Sequence, residues 1–405
     1  MTAFLTALFL QAGYNAALVT IGAALLGFAA GAAGTFLFLQ KRALVSDAIA
    51  HATLPGVALA FIAMVWLGGD GRSLGGLLLG SAISAGLGLL AVEWMTRATR
   101  LSEDAAIGAV LSVFFGFGIV LLTVVQSMSA GRQAGLESFL LGSTAGMLFT
   151  DAMVIAVGGS LAVLATWILR RPMTLAAFDP EFAAASGWSL ARIDIAMMGL
   201  VMAVTVIGLK VVGLVLIVAL LIIPPVTARF WTDRSDRVVW IAGAMGAVSG
   251  YVGAAISASA PALPTGPIIV LIAASLFAVS LLFAPARGVA AAVIRQRRFQ
   301  ARVHRRQGLL ALARLEPIHD GLTLRVLSRE GLIRRDGVAT EAGAALAAKI
   351  ARDERRWEIA RAIHQDAGKA SRYDGLTPIE EIFTQDEIAA LDAEIGGPTA
   401  VPGGA

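Results

Sequence analysis

The chain has 405 residues, 57% of them hydrophobic and 15% charged, with no cysteine and a formal net charge of +4. Such a composition excludes an ordinary soluble globular class, a disulfide framework and thiolate metal sites, leaving oxygen and imidazole nitrogen to hold any metal ion. The charges divide unevenly, with 14 of the 32 Lys/Arg and 12 of the 28 Asp/Glu before Arg295, so a membrane part precedes a charged soluble tail and the net charge is no nucleic-acid footprint.

Taken in order, apolar runs and turn signals predict spans near 16–39, 48–67, 74–95, 105–126, 151–169, 192–208, 211–230, 238–257 and 266–284. The expected fold over residues 1–290 is an all-α polytopic membrane domain of about nine transmembrane helices. The N-terminus lacks the basic region of a cleaved signal, so the first span reads as retained. The segment Ser138–Phe149 is too short to cross and reads as re-entrant or interfacial. With the N-terminus outside, Lys41/Arg42, Arg97/Arg100, Arg170/Arg171, Arg229/Arg234/Arg237 and the basic run after Ala286 fall on the cytoplasmic side. External loops then keep Arg72, Arg132 and Lys210. Small residues at Gly75-Gly76, Gly80, Ala85-Gly86 and Gly243 to Gly250 favour close helix approach. Pro224-Pro225 predicts a bend or an unwound turn in the seventh span.

Asp47 and His51 stand one helical turn apart at the mouth of the second span, on one face, and His51 is the only histidine before His304. Neither side chain belongs in hydrocarbon unless it faces a protein interior or a water-filled path, which makes the pair a candidate ion site. The alternative is that Asp47 caps the helix and His51 is a packing residue. Glu93 is a weaker metal candidate, because Arg97 one turn later offers it an ion-pair partner.

The longest internal loop, Arg170 to Leu190, contains a sequence that predicts a short helix: Asp179 as cap, Pro180 at its first position, Glu181 in its first turn and Gly187 at its end. That helix is either a surface for a partner or a capped connector. Beyond the membrane part, residues 291–306 form a basic juxtamembrane linker suited to anionic headgroups. Helices are predicted over Leu309–Leu315, over Leu322–Arg335 up to a turn at Asp336-Gly337, and over Glu341–His364 with Thr340 as cap. A domain over 307–395 precedes a Gly/Pro-rich tail, 396–405, expected to be disordered.

No phosphate-binding Gly-rich loop with its Lys, no Ser/His/Asp grouping and no HExxH occurs, so the chain is not read as an enzyme; the Asp47/His51 pair, the partner-shaped internal loop and the nine spans instead suggest a translocation pathway driven by something else. Lys41 to Ala60, Phe178 to Trp188, Val211 to Ala228 and Pro264 to Ala273 together resemble the membrane permease of the metal-ion ABC importers, which take up manganese, zinc or iron. The resemblance implies a subunit of a bacterial inner membrane that forms the translocation pathway as a dimer, homomeric or heteromeric. It implies cytoplasmic ATP-binding subunits, where ATP is hydrolysed, and an extracytoplasmic metal-binding protein as partners. It also implies metal contact by Asp47 and His51 and ATPase docking through Asp179, Glu181, Phe182 and Gly187. The metal would be cargo, manganese first with zinc or iron as others, and no cofactor would be bound permanently. A secondary transporter or channel for divalent cations is the alternative, and it leaves Phe178 to Trp188 unexplained.

Leu327 to Glu358 resembles part of the metal-dependent repressors of the diphtheria-toxin-repressor type, implying a small cytoplasmic winged-helix-like α(+β) domain. Glu354 stands where those repressors carry a ligating His, and Glu358 is the one matching ligand, so contact or regulation is expected of this domain and not metal sensing. Its Lys/Arg and Asp/Glu are nearly balanced, so no nucleic acid is expected as partner.

Overall fold

Glycine register and helix direction, more than hydropathy, organise the membrane part. The computed structural model describes residues 2–69, 71, 73–128, 147–260, 263–363, 368–369 and 372–396. It divides into two units, Met1–Ala291 and Ala292–Ala405. A short α1 (Thr2–Leu8) is followed by α2 (Tyr14–Leu39), α3 (Leu44–Trp66), α4 (Leu74–Ala98), α5 (Glu103–Ser127) and α6 (Phe149–Phe178). Then come α7 (Pro180–Ala185), α8 (Leu190–Val212), α9 (Leu214–Arg229), α10 (Ser235–Ala258) and α11 (Thr265–Phe283). Eight of these helices, α2 to α6, α8, α10 and α11, are long and apolar enough to cross a membrane. The expected seventh span is instead the 16-residue α9. At 1.5 Å per residue it is about 24 Å long, short of a hydrocarbon core of about 30 Å.

Among the places where helix backbones come into contact are the α2–α10 and α3–α4 seams. A Cβ on Gly27 would stand 2.2 Å from the carbonyl oxygen of Gly246, one on Gly31 2.3 Å from that of Ala242, and one on Gly250 2.2 Å from that of Ala23. As residue numbers rise along α2 they fall along α10, so the two helices are antiparallel. The second seam joins α3 and α4, where a Cβ on Gly56 would lie 2.1 Å from the Gly80 carbonyl. Gly80, Gly246 and Gly250 thus serve the close approach their spacing suggests, whereas Gly75 has open space and Gly243 faces the Phe28 ring.

Several boundaries differ from the sequence reading. Helix α6 continues through Arg170, Arg171 and a buried Pro172 to Phe178, so most of the expected internal loop is helix. The two prolines of α9 do not unwind it; the break lies upstream at Gly213, with φ 78° and ψ 171°. Pro224 and Pro225 remove the donors owed to the Leu220 and Leu221 carbonyls, near enough to the helix end that the remaining turns persist. The Arg72, Arg132, His364 and Gln365 positions, residues 138–146 of the Ser138–Phe149 segment and the tail after Gly396 lie outside the described residues.

The second unit contains most of α12 (Val289–Ala313), then α13 (Gly321–Arg329), α14 (Glu341–Ile363) and α15 (Gln385–Gly396). The basic linker is therefore the body of one continuous helix. One core gathers Leu309, Leu327, Leu332, Ile333 and Ala347, and a second gathers Trp357, Ala360, Ile379, Phe383 and Leu391. Asp320 caps α13 and Thr340 caps α14, their side chains accepting from the amides of Thr323 and Gly343. Helix α13 ends at Arg329, six residues before the expected Arg335, because Gly331 takes φ +69° and reverses the chain. No strand occurs among the described residues: the expected wing is a single antiparallel bridge, Ile333 to Ala339, closed over Asp336-Gly337. The winged-helix α(+β) expectation is accordingly not met, since the five residues between Ile333 and Ala339 make one tight reversal closed by a single bridge and no sheet among the described residues.

Candidate functional site: a carboxylate and an imidazole on one helix face

The turn between α2 and α3 sets the site. Lys41 adopts φ 63°, and the Arg42 amide donates to the Leu37 carbonyl at 2.9 Å, a tight helix ending usually given to glycine. Arg42 then pairs with Glu103 at the start of α5 (3.0 Å) and with Asp194 in the second turn of α8 (3.6 Å). This three-element clamp was missed in the sequence because its members are 61 residues or more apart.

Helix α3 begins at Leu44, with Ala43 at the cap position and no side-chain cap. Asp47 is therefore inside the first turn and not the cap, which removes the capping alternative. Its carboxylate lies 3.4 Å from Nε2 of His51. Both side chains are partly exposed, Asp47 37% and His51 21%. The imidazole is held edge-on to Phe115 of α5, ring centres 5.1 Å apart. One turn deeper, Gly118 of α5 has no room for a Cβ, which would fall 2.6 Å from that of Leu54, so α5 presses α3 into this position. His51 Nδ1 is buried without a hydrogen-bond partner. Pro55 lacks an N–H, so the His51 carbonyl also loses its usual helical donor.

A carboxylate oxygen and an imidazole nitrogen are donor types that suit a first-row divalent ion. Among the described residues no three His, Asp or Glu side chains come together, so one chain offers this pair and no fuller cage. Glu93 is not brought to the pair; it binds Arg97, the partner its spacing suggested.

The predicted internal helix is present as α7. Asp179 accepts from the Phe182 amide at 2.9 Å, Pro180 opens the helix, and the Trp188 amide closes it on the Ala183 carbonyl at 3.0 Å across Gly187 with φ +85°. Glu181 stands in the first turn. Phe182 is 59% exposed, flanked by exposed Phe178 and Trp188. Three large apolar side chains thus stand exposed on and beside a capped six-residue helix.

In the second unit, Glu354 is bound by Arg306 and by the Tyr373 hydroxyl, so both its oxygens are taken. Burial, then the Glu354 bond, pushes the Tyr373 phenol above its ordinary range. Glu358 is exposed and, among the described residues, joins no group of three or more His, Asp or Glu side chains.

Residues 14–284 match the family described as the ABC 3 transport family. The manganese transport system membrane protein MntC of Bacillus subtilis is 41% identical over 298 residues, 74% of this chain and 67% of that protein. The zinc transport system membrane protein TroC of Treponema pallidum is 37% identical over 69% of this chain and 92% of its own length. Among solved structures, PsaBC from Streptococcus pneumoniae in complex with Fab aligns with a TM-score of 0.61 and 30% identity, covering 71% of this chain and 98% of that one. The matched stretch takes in every helix from α2 to α11, the Asp47/His51 pair and the capped α7, while the second unit falls outside it; the chain is a member of the ABC 3 transport family.

Proposed function

We propose that this chain is the membrane permease subunit of an ATP-driven importer of divalent transition-metal ions, manganese or zinc, with two copies forming the pathway. The observation that carries the reading is the Asp47–His51 pair, on one face of a span inside the family match. Two such pairs from a symmetric dimer would provide four hard or borderline donors, with water completing a site weak enough to release its ion. The same donors suit iron(II), which forms a third arm of the test. ATP hydrolysis belongs to separate cytoplasmic subunits docking on α7, and metal arrives from an extracytoplasmic binding protein.

In this reading α9 completes nine traverses. The antiparallel α2–α10 seam supports it: if α9 did not cross, α10 would run parallel to α2. The N-terminus then faces outward and the second unit the cytoplasm of a bacterial inner membrane. Single cysteines at Gly187 and Ala260, in a chain with none of its own, should label from opposite faces. Labelling of both from one side would overturn the topology.

The deciding experiment is uptake of radiolabelled manganese, zinc and iron(II) by cells carrying the permease with and without its ATPase. ATPase-dependent accumulation of one ion is expected. Accumulation that follows the ion gradient alone would establish a secondary transporter instead.

A further inference from the structure

Helices α2, α6 and α10 enclose a groove of about 400 Å³ lined by Leu25, Phe28, Gly159, Val163 and the indoles of Trp167 and Trp240. At Gly159 a Cβ would meet its nearest neighbour, that of Ala29, only at the ordinary contact distance of 3.7 Å, so the wall there is not tightly packed. The groove continues as a narrow cleft past Ala32 and Val239 and ends at Arg170. There the guanidinium stacks on Trp167, 5.3 Å from the ring centre.

Arg170 follows Trp167 by three residues and Arg237 precedes Trp240 by three, so each indole has a guanidinium one turn beyond it. Helix α6 rises alongside α2, and α10 descends against it, which puts both arginines at the same end of the groove. Neither arginine has an ion-pair partner among the described residues. Arg170 is only partly exposed, so its charge is incompletely solvated. Tryptophan marks the membrane–water boundary, and arginine just beyond it lies at headgroup level. Arginine also presents a planar fork matched to phosphate oxygens.

We propose that this groove binds one anionic phospholipid, an acyl chain lying along Leu25, Phe28 and Gly159 and the phosphate held between Arg170 and Arg237. The proposal follows from membership of a membrane family and does not depend on which ion is carried. Charge complementarity selects the occupant: an apolar groove ending in guanidinium groups matches an acyl chain carrying an anionic phosphate.

The test uses the full chain in phosphatidylcholine nanodiscs, without metal, titrated with dibrominated phosphatidylglycerol or dibrominated phosphatidylcholine while tryptophan fluorescence is followed. Saturable quenching by the anionic lipid, in excess of that by the zwitterionic one, is expected. Each of Arg170→Gln and Arg237→Gln should raise the half-saturating lipid fraction roughly fivefold, the change that corresponds to about 1 kcal/mol per basic residue near an anionic surface. Ser160→Phe, at an exposed position on the groove wall, should abolish the excess while leaving both arginines. Equal quenching by the two lipids, or an unchanged titration in the doubly substituted arginine variant, would overturn the proposal. So would oxidative cross-linking of Ser160→Cys between copies, which would show the groove covered by a second chain.

Discussion

The carbonyl oxygen of Leu221 occupies the space a side chain on Gly34 would need: a Cβ there would stand 2.0 Å away. Pro225 has no N–H to give this carbonyl, so α9 turns a freed backbone oxygen against the bare Cα of α2. Gly34→Ala should force the helices apart at a cost of about 1–3 kcal/mol, the usual range for overpacking. A lower unfolding temperature in detergent, with loss of monodispersity, is the expected result. Wild-type stability would mean that α9 can shift freely.

For the Asp47–His51 pair, Asp47→Asn and His51→Ala should each reduce uptake to background while leaving expression and ATPase assembly intact. The fold survives because both side chains are partly exposed and neither caps α3. His51→Asp should recover part of the uptake, since an oxygen donor can replace the nitrogen for a divalent ion. Normal transport by both variants would refute the site.

Phe182→Asp should abolish association with the ATPase without unfolding the permease, because the ring is exposed and its truncation leaves no cavity. Asp179→Ala should act more mildly, loosening α7 by about 1 kcal/mol through loss of its cap. Co-purification and ATP-driven uptake report both, and an intact complex with Phe182→Asp would exclude α7 as the docking element.

The second unit should be acid-sensitive. Lys369, then the Thr384 amide, hold the Glu387 carboxyl down from the ordinary 4.5 to about 2. Arg356 likewise holds Asp392 below the usual range, and the Leu376 and Thr377 amides do so for Asp374. For groups depressed in the folded state, the stabilisation is complete above the unfolded pKa and is lost as pH falls through the folded value. Hydrogen exchange in α15 of the full chain should therefore rise as pH drops from about 4.5 towards 2, after correction for intrinsic rates. Glu387→Gln should flatten that rise; an unchanged profile would show that the Lys369 contact does not bear on stability.

Local chemistry was readable from the sequence, and non-local chemistry was not. The α7 helix could be read because its cap, its first-turn proline and its terminal glycine lie within nine residues, 179–187. The start of α3 was displaced because Ala43 carries no capping side chain, which made the polar Asp47 look like the boundary. Arg170 and Pro172 resembled a helix end, yet α6 continues through them under packing that buries Pro172 and Met173. The Arg42 clamp, the Gly27–Gly246 seam and the Phe115 edge on His51 join segments whose pairing no spacing encodes. Thus the Asp47–His51 pair could be found in the sequence, while what orients it could not.

The glycine seams also constrain how the protein can move. With Gly27 against Gly246 and Gly56 against Gly80, helices α2 and α10, and separately α3 and α4, mesh at backbone level, where a slip of one residue would drive a methyl group into a carbonyl. At these points each pair is locked in register, and α2 is held to α9 in the same way where the Leu221 carbonyl meets Gly34. A rearrangement that keeps these seams would have to fall elsewhere, and Gly213, whose positive φ of 78° joins α8 to α9, is a place where the backbone is not tied into a helix.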